Sequence, residues 1–272
     1  MAAMRPFAFL PAVALTLAAT LASAHEFWID PQAYQVAPGE QIVAGLRVGQ
    51  NFQGSSYSYF PSNFTRFDIV TGQDVTPVTG RMGDIPALNM AAPGNGLAVI
   101  VHETTDNRLT YSNWQTFVDF VTHKAFPGVL ETHQARGLPE TGFAETYRRY
   151  AKALIAVGDG AGSDRRLGLE TEIVAGANPY TDDMTAGMPV QVFYQDAPHA
   201  DAQLEVFDRA PGGAVNVLAL TLDAQGRAVV PVAPGHVYLL DAVVLRSTGN
   251  DDPTKGPVWH SLWAALTFAL PD

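Results

Sequence analysis

The chain of 272 residues contains no cysteine, which excludes disulfide bonds, thiolate metal sites and cysteine nucleophiles together. Basic residues are also scarce. There are 16 Lys and Arg against 27 Asp and Glu, so the formal net charge is −11 at pH 7. This charge balance argues against nucleic acid as a partner. Any metal site must therefore use histidine, carboxylate, methionine, backbone groups or the amino terminus.

The first 24 residues have the composition of a secretory leader. Arg5 is their only charged residue, an apolar run covers residues 6–21, and Ala22-Ser23-Ala24 has the small-x-small pattern that signal peptidase cleaves. A transmembrane helix needs about 20 apolar residues, so this segment is short for a permanent anchor. The sequence predicts a periplasmic protein that begins at or near His25 once residues 1–24 are removed and does not span the membrane.

Alternating apolar residues predict a mainly β protein. Strands are expected where this alternation is clearest, at 42–48, 67–69, 97–101, 190–194, 204–206, 230–232, 237–239 and 262–270. The glycine-rich stretch at 158–164 has the composition of a flexible connection. We therefore predict two immunoglobulin-like β-sandwich domains, at 25–158 and 165–272.

Two helices are predicted as an insertion into the first domain, at about 112–157. The first follows a capping candidate at Ser112 or Asn113. The second ends at Gly158. Both rest on apolar residues spaced i, i+3, i+4 and i+7, which are Trp114, Phe117, Val118 and Val121 in the first helix and Tyr147, Tyr150, Ala151 and Leu154 in the second.

Three segments together resemble a known family of exported bacterial proteins. They are His25-Glu26-Phe27-Trp28-Ile29, residues 147–154 and residues 259–268. This domain-of-unknown-function family is commonly described as the periplasmic component of nickel or cobalt ABC-type uptake systems. Residues 185–240 are also similar to transthyretin-like, immunoglobulin-type sandwich modules. The resemblance implies a β-sandwich fold and a role in transition-metal uptake beside membrane transporter components.

A histidine at the mature amino terminus has a specific metal chemistry. Cleavage after Ala24 would let His25 offer its α-amine and its imidazole Nδ1 to one ion, and a second imidazole would complete a three-nitrogen site for Cu(II) or Ni(II). His102, at the end of a predicted strand, is the first candidate for that imidazole, and His260 is the second. Cleavage after Ala22 would instead give Ser23-Ala24-His25, whose amine, amides and imidazole suit the same ions.

The expected function is periplasmic binding of nickel, cobalt or copper through His25, with His102 and His260 as further candidate ligands. No nucleophile elbow, phosphate loop or His-Glu-x-x-His motif occurs, so no enzymatic activity is predicted. Three alternatives remain open. His25 could simply begin the first strand, the protein could be a non-metal interaction module or transporter accessory subunit, or a copper site could support redox catalysis.

Overall fold

The structure is a computed structural model that describes residues 26–272, so the predicted leader and His25 lie outside the described residues. Its helices are α1 (Trp114–His123) and α2 (Val129–Ala135), with a short 3-10 turn at Pro61–Asn63. Strands predominate, which confirms the predicted mainly β fold class. They are β1 (Glu26–Pro31), β2 (Gln35–Val36), β3 (Gln41–Gln50), β4 (Gln53–Tyr57), β5 (Phe64–Thr71), β6 (Asp74–Pro77), β7 (Leu88–Ala91), β8 (Gly96–Thr104), β9 (Asn107–Tyr111), β10 (Phe143–Val157), β11 (Thr171–Ala175), β12 (Met188–Tyr194), β13 (Ala197–Pro198), β14 (Gln203–Arg209), β15 (Val215–Thr221), β16 (Arg227–Val230), β17 (Val237–Ser247) and β18 (Trp259–Ala269).

The strands form a sandwich-like arrangement around one large central sheet. This ten-stranded sheet runs β15-β14-β17-β18-β10-β8-β5-β6, with β2 and β9 also pairing along β10. A four-stranded sheet of β1, β3, β4 and β7 covers one face. Another, of β11, β12, β13 and β16, covers the opposite face. We call these the first and second outer sheets.

Side chains of the central strands alternate between the two faces, as the pleat of a sheet requires. In β8, Ala98 and Ile100 join the core under the first outer sheet. Val99 and Val101 join the core under the second outer sheet. Successive residues of a central strand face opposite sides of the sheet, and this decides which candidate ligands share a face.

The central sheet contains strands from both sides of the glycine-rich stretch at 158–164. β18 lies parallel to β10, with Glu145 opposite Trp259 and Ala153 opposite Thr267. β17 then pairs antiparallel with β18 along its whole length. The two halves of the chain therefore share one sheet.

The first predicted helix is confirmed as α1. The Asn113 side chain accepts a hydrogen bond of 2.8 Å from the Gln115 N–H and so caps the helix as expected. Phe117, Phe120 and Val121 of α1 are buried against central-sheet residues such as Trp263. The helical insertion therefore covers the part of the central sheet that the first outer sheet leaves uncovered.

The second predicted helix, at residues 147–154, is wrong, because these residues belong to β10. Both faces of β10 are covered, and every residue from Arg149 to Val157 is buried. A continuous apolar run contains the spacing i, i+3, i+4, i+7 by default, so the spacing did not distinguish helix from buried strand. The second helix is α2, which follows Gly128, a residue with a positive φ of 75°. The insertion thus ends near residue 135, and not at 157.

A fully buried carboxyl group, that of Glu145, lies beneath the helical insertion. Glu145 accepts hydrogen bonds from the hydroxyl groups of Ser261 and Tyr111, the latter at 2.8 Å. Burial raises the pKa of Glu145 from 4.5 to about 7, although the two hydrogen bonds act in the opposite direction. The folded protein therefore binds this proton more tightly than the unfolded chain does.

Replacing Glu145 with Gln should flatten the dependence of stability on pH. A carboxyl group whose pKa is raised in the folded state stabilises the fold at low pH, and this stabilisation is lost as the pH rises through about 7. Between pH 6 and pH 9 the free energy of unfolding of the wild type should fall by about 1.4 kcal/mol more than that of Glu145→Gln. Urea unfolding at several pH values measures the difference, and parallel profiles would contradict the prediction. Glu26 and His102 also have shifted pKa values, but both are present in the wild type and in the variant, so their contributions to the pH dependence cancel.

Candidate functional site

The described chain begins at Glu26, the residue that follows the predicted ligand His25. Glu26 opens β1, where it lies opposite Gly49 of β3, and only 4% of its surface is exposed. Phe27 and Ile29 next to it are buried in the core under the first outer sheet. The segment after His25 is therefore built into the sandwich.

Three buried carboxylates surround the ammonium group of Lys124, and we call Glu26, Lys124, Glu205 and Asp241 the acid cage. Glu205 of β14 lies opposite Asp241 of β17, and Lys124 directly follows α1. The Lys124 Nζ lies 2.8 Å from Asp241 Oδ2 and 3.6 Å from Glu26 Oε1, and it also donates a hydrogen bond to Glu205 Oε2. The cage joins the first strand, the helical insertion and the central sheet.

The charges of the cage shift one another's ionisation. Burial and, after it, the nearby Asp241 raise the pKa of Glu26 while Lys124 lowers it, and the net result is a pKa of about 7. Burial also raises the pKa of Asp241, again against the influence of Lys124. Burial alone would lower the pKa of Lys124, but the carboxylates outweigh it and the pKa is raised. The carboxylates therefore hold Lys124 as a charged ammonium in spite of its burial.

Two further basic side chains border the cage. His123 Nε2 lies 2.8 Å from Glu205 Oε1, and its side chain is 62% exposed, so it marks where the cage meets solvent. The Arg149 guanidinium lies over the rings of Phe27 and Tyr147, at 5.7 and 4.7 Å from the ring centroids. Arg149 also interacts electrostatically with carboxylates of the cage. The cage thus opens towards solvent on the side of His123.

His102 lies inside β8, which extends to Thr104, and only 3% of its surface is exposed. Its ring is surrounded by Phe27, Phe64 and Phe67, with centroid distances of 5.2, 5.4 and 4.9 Å. Burial lowers the pKa of His102 to about 3, so its imidazole is neutral at physiological pH. Among the described residues, its Nδ1 has no hydrogen-bond partner. His102 is a neutral nitrogen donor beside the strand that follows His25.

His260 has a different environment. Its Nδ1 accepts a hydrogen bond of 3.1 Å from Arg246, and its Nε2 lies 4.0 Å from Asp106 Oδ1. Asp106 is itself held by Arg148 at 2.7 Å. Burial lowers the pKa of His260, and the neighbouring Arg246 lowers it further. The two guanidinium groups near this imidazole oppose a metal cation at the same place.

The structure brings His102, but not His260, towards the beginning of the described chain. His102 alternates with Val99 and Val101, so it points to the face covered by the first outer sheet. His260 shares its face with Leu262 and Ala264, whose core lies under the second outer sheet. The two imidazoles lie on opposite faces of the central sheet and do not share one site.

The acid cage was missed in the sequence because its members are far apart in the chain. Glu205 lies between Leu204 and Val206, and Asp241 follows Leu240, so each acid interrupts an apolar strand pattern. A carboxylate facing a core needs a partner, which makes such interruptions a usable signal. The identity of that partner, Lys124, depends on how α1 folds over the sheet.

Within residues 26–272, neither helix is long and apolar enough to cross a membrane. A protein-family model described as a domain of unknown function, DUF4198, matches residues 22–246. No curated protein sequence matches the chain.

Several solved structures overlap with the chain at low identity. The D0-D1 domain of intimin is 11% identical, with a TM-score of 0.23, and the match covers 89% of this chain and 97% of that one. Trypsin-activated alpha-2-macroglobulin from Escherichia coli is 13% identical, with a TM-score of 0.24 and coverage of 89% and 15%. A tetra-tandem repeat from a large adhesion protein is 10% identical, with a TM-score of 0.21 and coverage of 90% and 49%. The fold assignment therefore rests on the chain's own strands.

Proposed function

We propose that this chain, which belongs to the DUF4198 family of domains of unknown function, is a periplasmic transition-metal-binding protein. The mature chain binds nickel, cobalt or copper through His25, whose amine and imidazole supply two ligands. His102 supplies a third nitrogen. The bound ion is then handed to membrane transporter components during metal uptake.

The observation that carries the proposal is the state of His102. A buried polar nitrogen without a hydrogen bond is costly, and such groups call for an explanation. The His102 ring lies 5.2 Å from the ring of Phe27, two residues after His25. His25 is thus only two residues along the chain from a side chain that contacts His102. Metal binding would satisfy the nitrogen.

The chemistry of this donor set supports the choice of metals. Three nitrogen donors suit Cu(II) and Ni(II), which accept tetragonal nitrogen geometry and bind tightly within the divalent series. His102 is neutral without metal, so it releases no proton when it binds. The negative charge of the acid cage, which includes Glu26 next to His25, favours a dication nearby.

Replacing His102 with Phe tests the third ligand. Phenylalanine fits among Phe27, Phe64 and Phe67 and removes the unpaired Nδ1, so the variant should be at least as stable as the wild type. Affinity for Cu(II) or Ni(II), measured by calorimetry on natively processed protein, should fall about tenfold. A folded variant with unchanged affinity would remove His102 from the site.

A further inference from the structure

Two buried lysines, Lys124 and Lys152, are surrounded by carboxylates, but the two sets of carboxylates differ in how completely they are hydrogen-bonded. Lys152 Nζ lies 2.7 Å from Asp164 Oδ1 and 3.0 Å from Glu172 Oε1. Backbone N–H groups of Arg165 and Ala175 donate to Asp164, and those of Leu167 and Leu169 donate to Glu172. Every carboxylate oxygen in this cluster has a partner, as expected of a structural ion cluster.

The acid cage is less well satisfied than the Lys152 cluster. It places three carboxylates, not two, around one ammonium group. Within residues 26–272, Glu26 Oε2 and Asp241 Oδ1 are buried and have no hydrogen-bond partner. The side chains that carry them are 5% and 1% exposed. Two buried carboxyl oxygens of the cage therefore lack a hydrogen-bond donor, although the Arg149 guanidinium as well as Lys124 supplies positive charge there.

The geometry of the cage fits a metal ion. One oxygen from each of Glu26, Glu205 and Asp241 lies within 4.8 Å of the other two, which oxygen ligands at 2.0–2.4 Å from a common ion would satisfy. His123 adds a nitrogen donor at the solvent side, on the same Glu205. Carboxylates with one imidazole suit divalent ions such as Mn²⁺ better than the nitrogen-preferring Cu(II).

We propose that the acid cage is a second divalent-cation site, in which Lys124 is the internal cation that a metal ion displaces. Lys124 directly follows the last residue of α1, so displacement of its side chain does not require the helix interior to unwind. The carboxylates of Glu26, Glu205 and Asp241 then coordinate the ion, and His123 completes the site from solvent. This site does not depend on the nitrogen site at His25.

Mn²⁺ binding to the natively processed protein tests this proposal, with the EPR signal of free Mn²⁺ as the readout. Lys124→Gln removes the competing charge but keeps a donor for Asp241, so it should bind Mn²⁺ about tenfold more tightly than the wild type. Asp241→Asn should weaken binding by about tenfold in either background. Asp30→Asn is the matched control, because Asp30 lies in β1 but pairs with Arg47, and its affinity should be unchanged.

The proposal is overturned if Lys124→Gln binds Mn²⁺ no more tightly than the wild type, or if adding Asp241→Asn leaves its affinity intact. If Lys124→Gln unfolds without metal, Mn²⁺ should restore the folded circular dichroism spectrum, and failure to do so also overturns the proposal. Mn²⁺ binding should survive in His25→Ala. Loss of Mn²⁺ binding in His25→Ala would reject the acid cage as a metal site but not the amino-terminal site. Cu(II) binding that persists in His25→Ala would reject only the amino-terminal site.

Discussion

Copper and nickel binding should be lost when His25 of the natively processed protein is replaced with alanine. The substitution removes the imidazole and breaks the chelate that this residue makes with its own α-amine. With three nitrogen ligands reduced to two and the chelate ring lost, affinity for Cu(II) should fall about 100-fold or more. Isothermal calorimetry measures the change, and intact-mass analysis of both proteins establishes that each begins at position 25.

Two controls separate the amino-terminal chelate from general histidine binding. Acetylating the α-amine of His25 keeps the imidazole but blocks the amine, so the acetylated chain should bind about as weakly as His25→Ala. His260→Ala should bind as well as the wild type, because His260 lies on the opposite face of the central sheet from His102. Equal binding by the wild type and His25→Ala would refute the proposed function.

The pH dependence of this binding follows from the ligands that must lose protons. The His25 imidazole and its α-amine compete with protons, so affinity should fall below about pH 8, the usual α-amine pKa, and more steeply below about pH 6.5, the usual histidine pKa. His102 should add nothing to this dependence near neutrality, because its pKa is lowered to about 3. An affinity that stays constant from pH 7.5 to pH 5.5 would therefore argue against His25.

The largest loss of stability is expected from Lys152→Ala. Lys152 is almost fully buried, and it joins β10 to Asp164 in the connection that follows and to Glu172 in β11. Removing the ammonium leaves two buried carboxylates without their counter-charge, which should lower the free energy of unfolding by about 3 to 5 kcal/mol. Urea denaturation followed by circular dichroism measures it.

Lys255→Ala provides the matched comparison. Lys255 also pairs with a carboxylate, that of Asp252 at 3.1 Å, but its side chain is 77% exposed. Exposed ion pairs are screened by water, so this variant should unfold at nearly the same urea concentration as the wild type. If Lys152→Ala and Lys255→Ala lowered the free energy of unfolding equally, burial would not explain how much the Lys152 cluster stabilises the fold.

The sequence predicted those elements whose pattern has one interpretation. β3 and β5 alternate between buried and less buried positions over part of their length, and α1 combines an apolar stripe with an Asn113 cap. The prediction for β10 failed because a strand buried on both faces has no polar side chains to mark the two-residue period of a strand. Its parallel partner β18 lies more than 100 residues later in the chain, so local pattern could not reveal the pairing.

The sequence by itself determined the cysteine-free composition, the acidic charge, the β-rich class and the chelating potential of a histidine at position 25. Only the tertiary structure decided which distant groups meet. It put His102 and His260 on opposite faces and closed Glu26, Lys124, Glu205 and Asp241 into one cage. The reason is physical: the face a side chain takes depends on strand register and on what covers the sheet, and both are set by contacts between residues far apart in the chain.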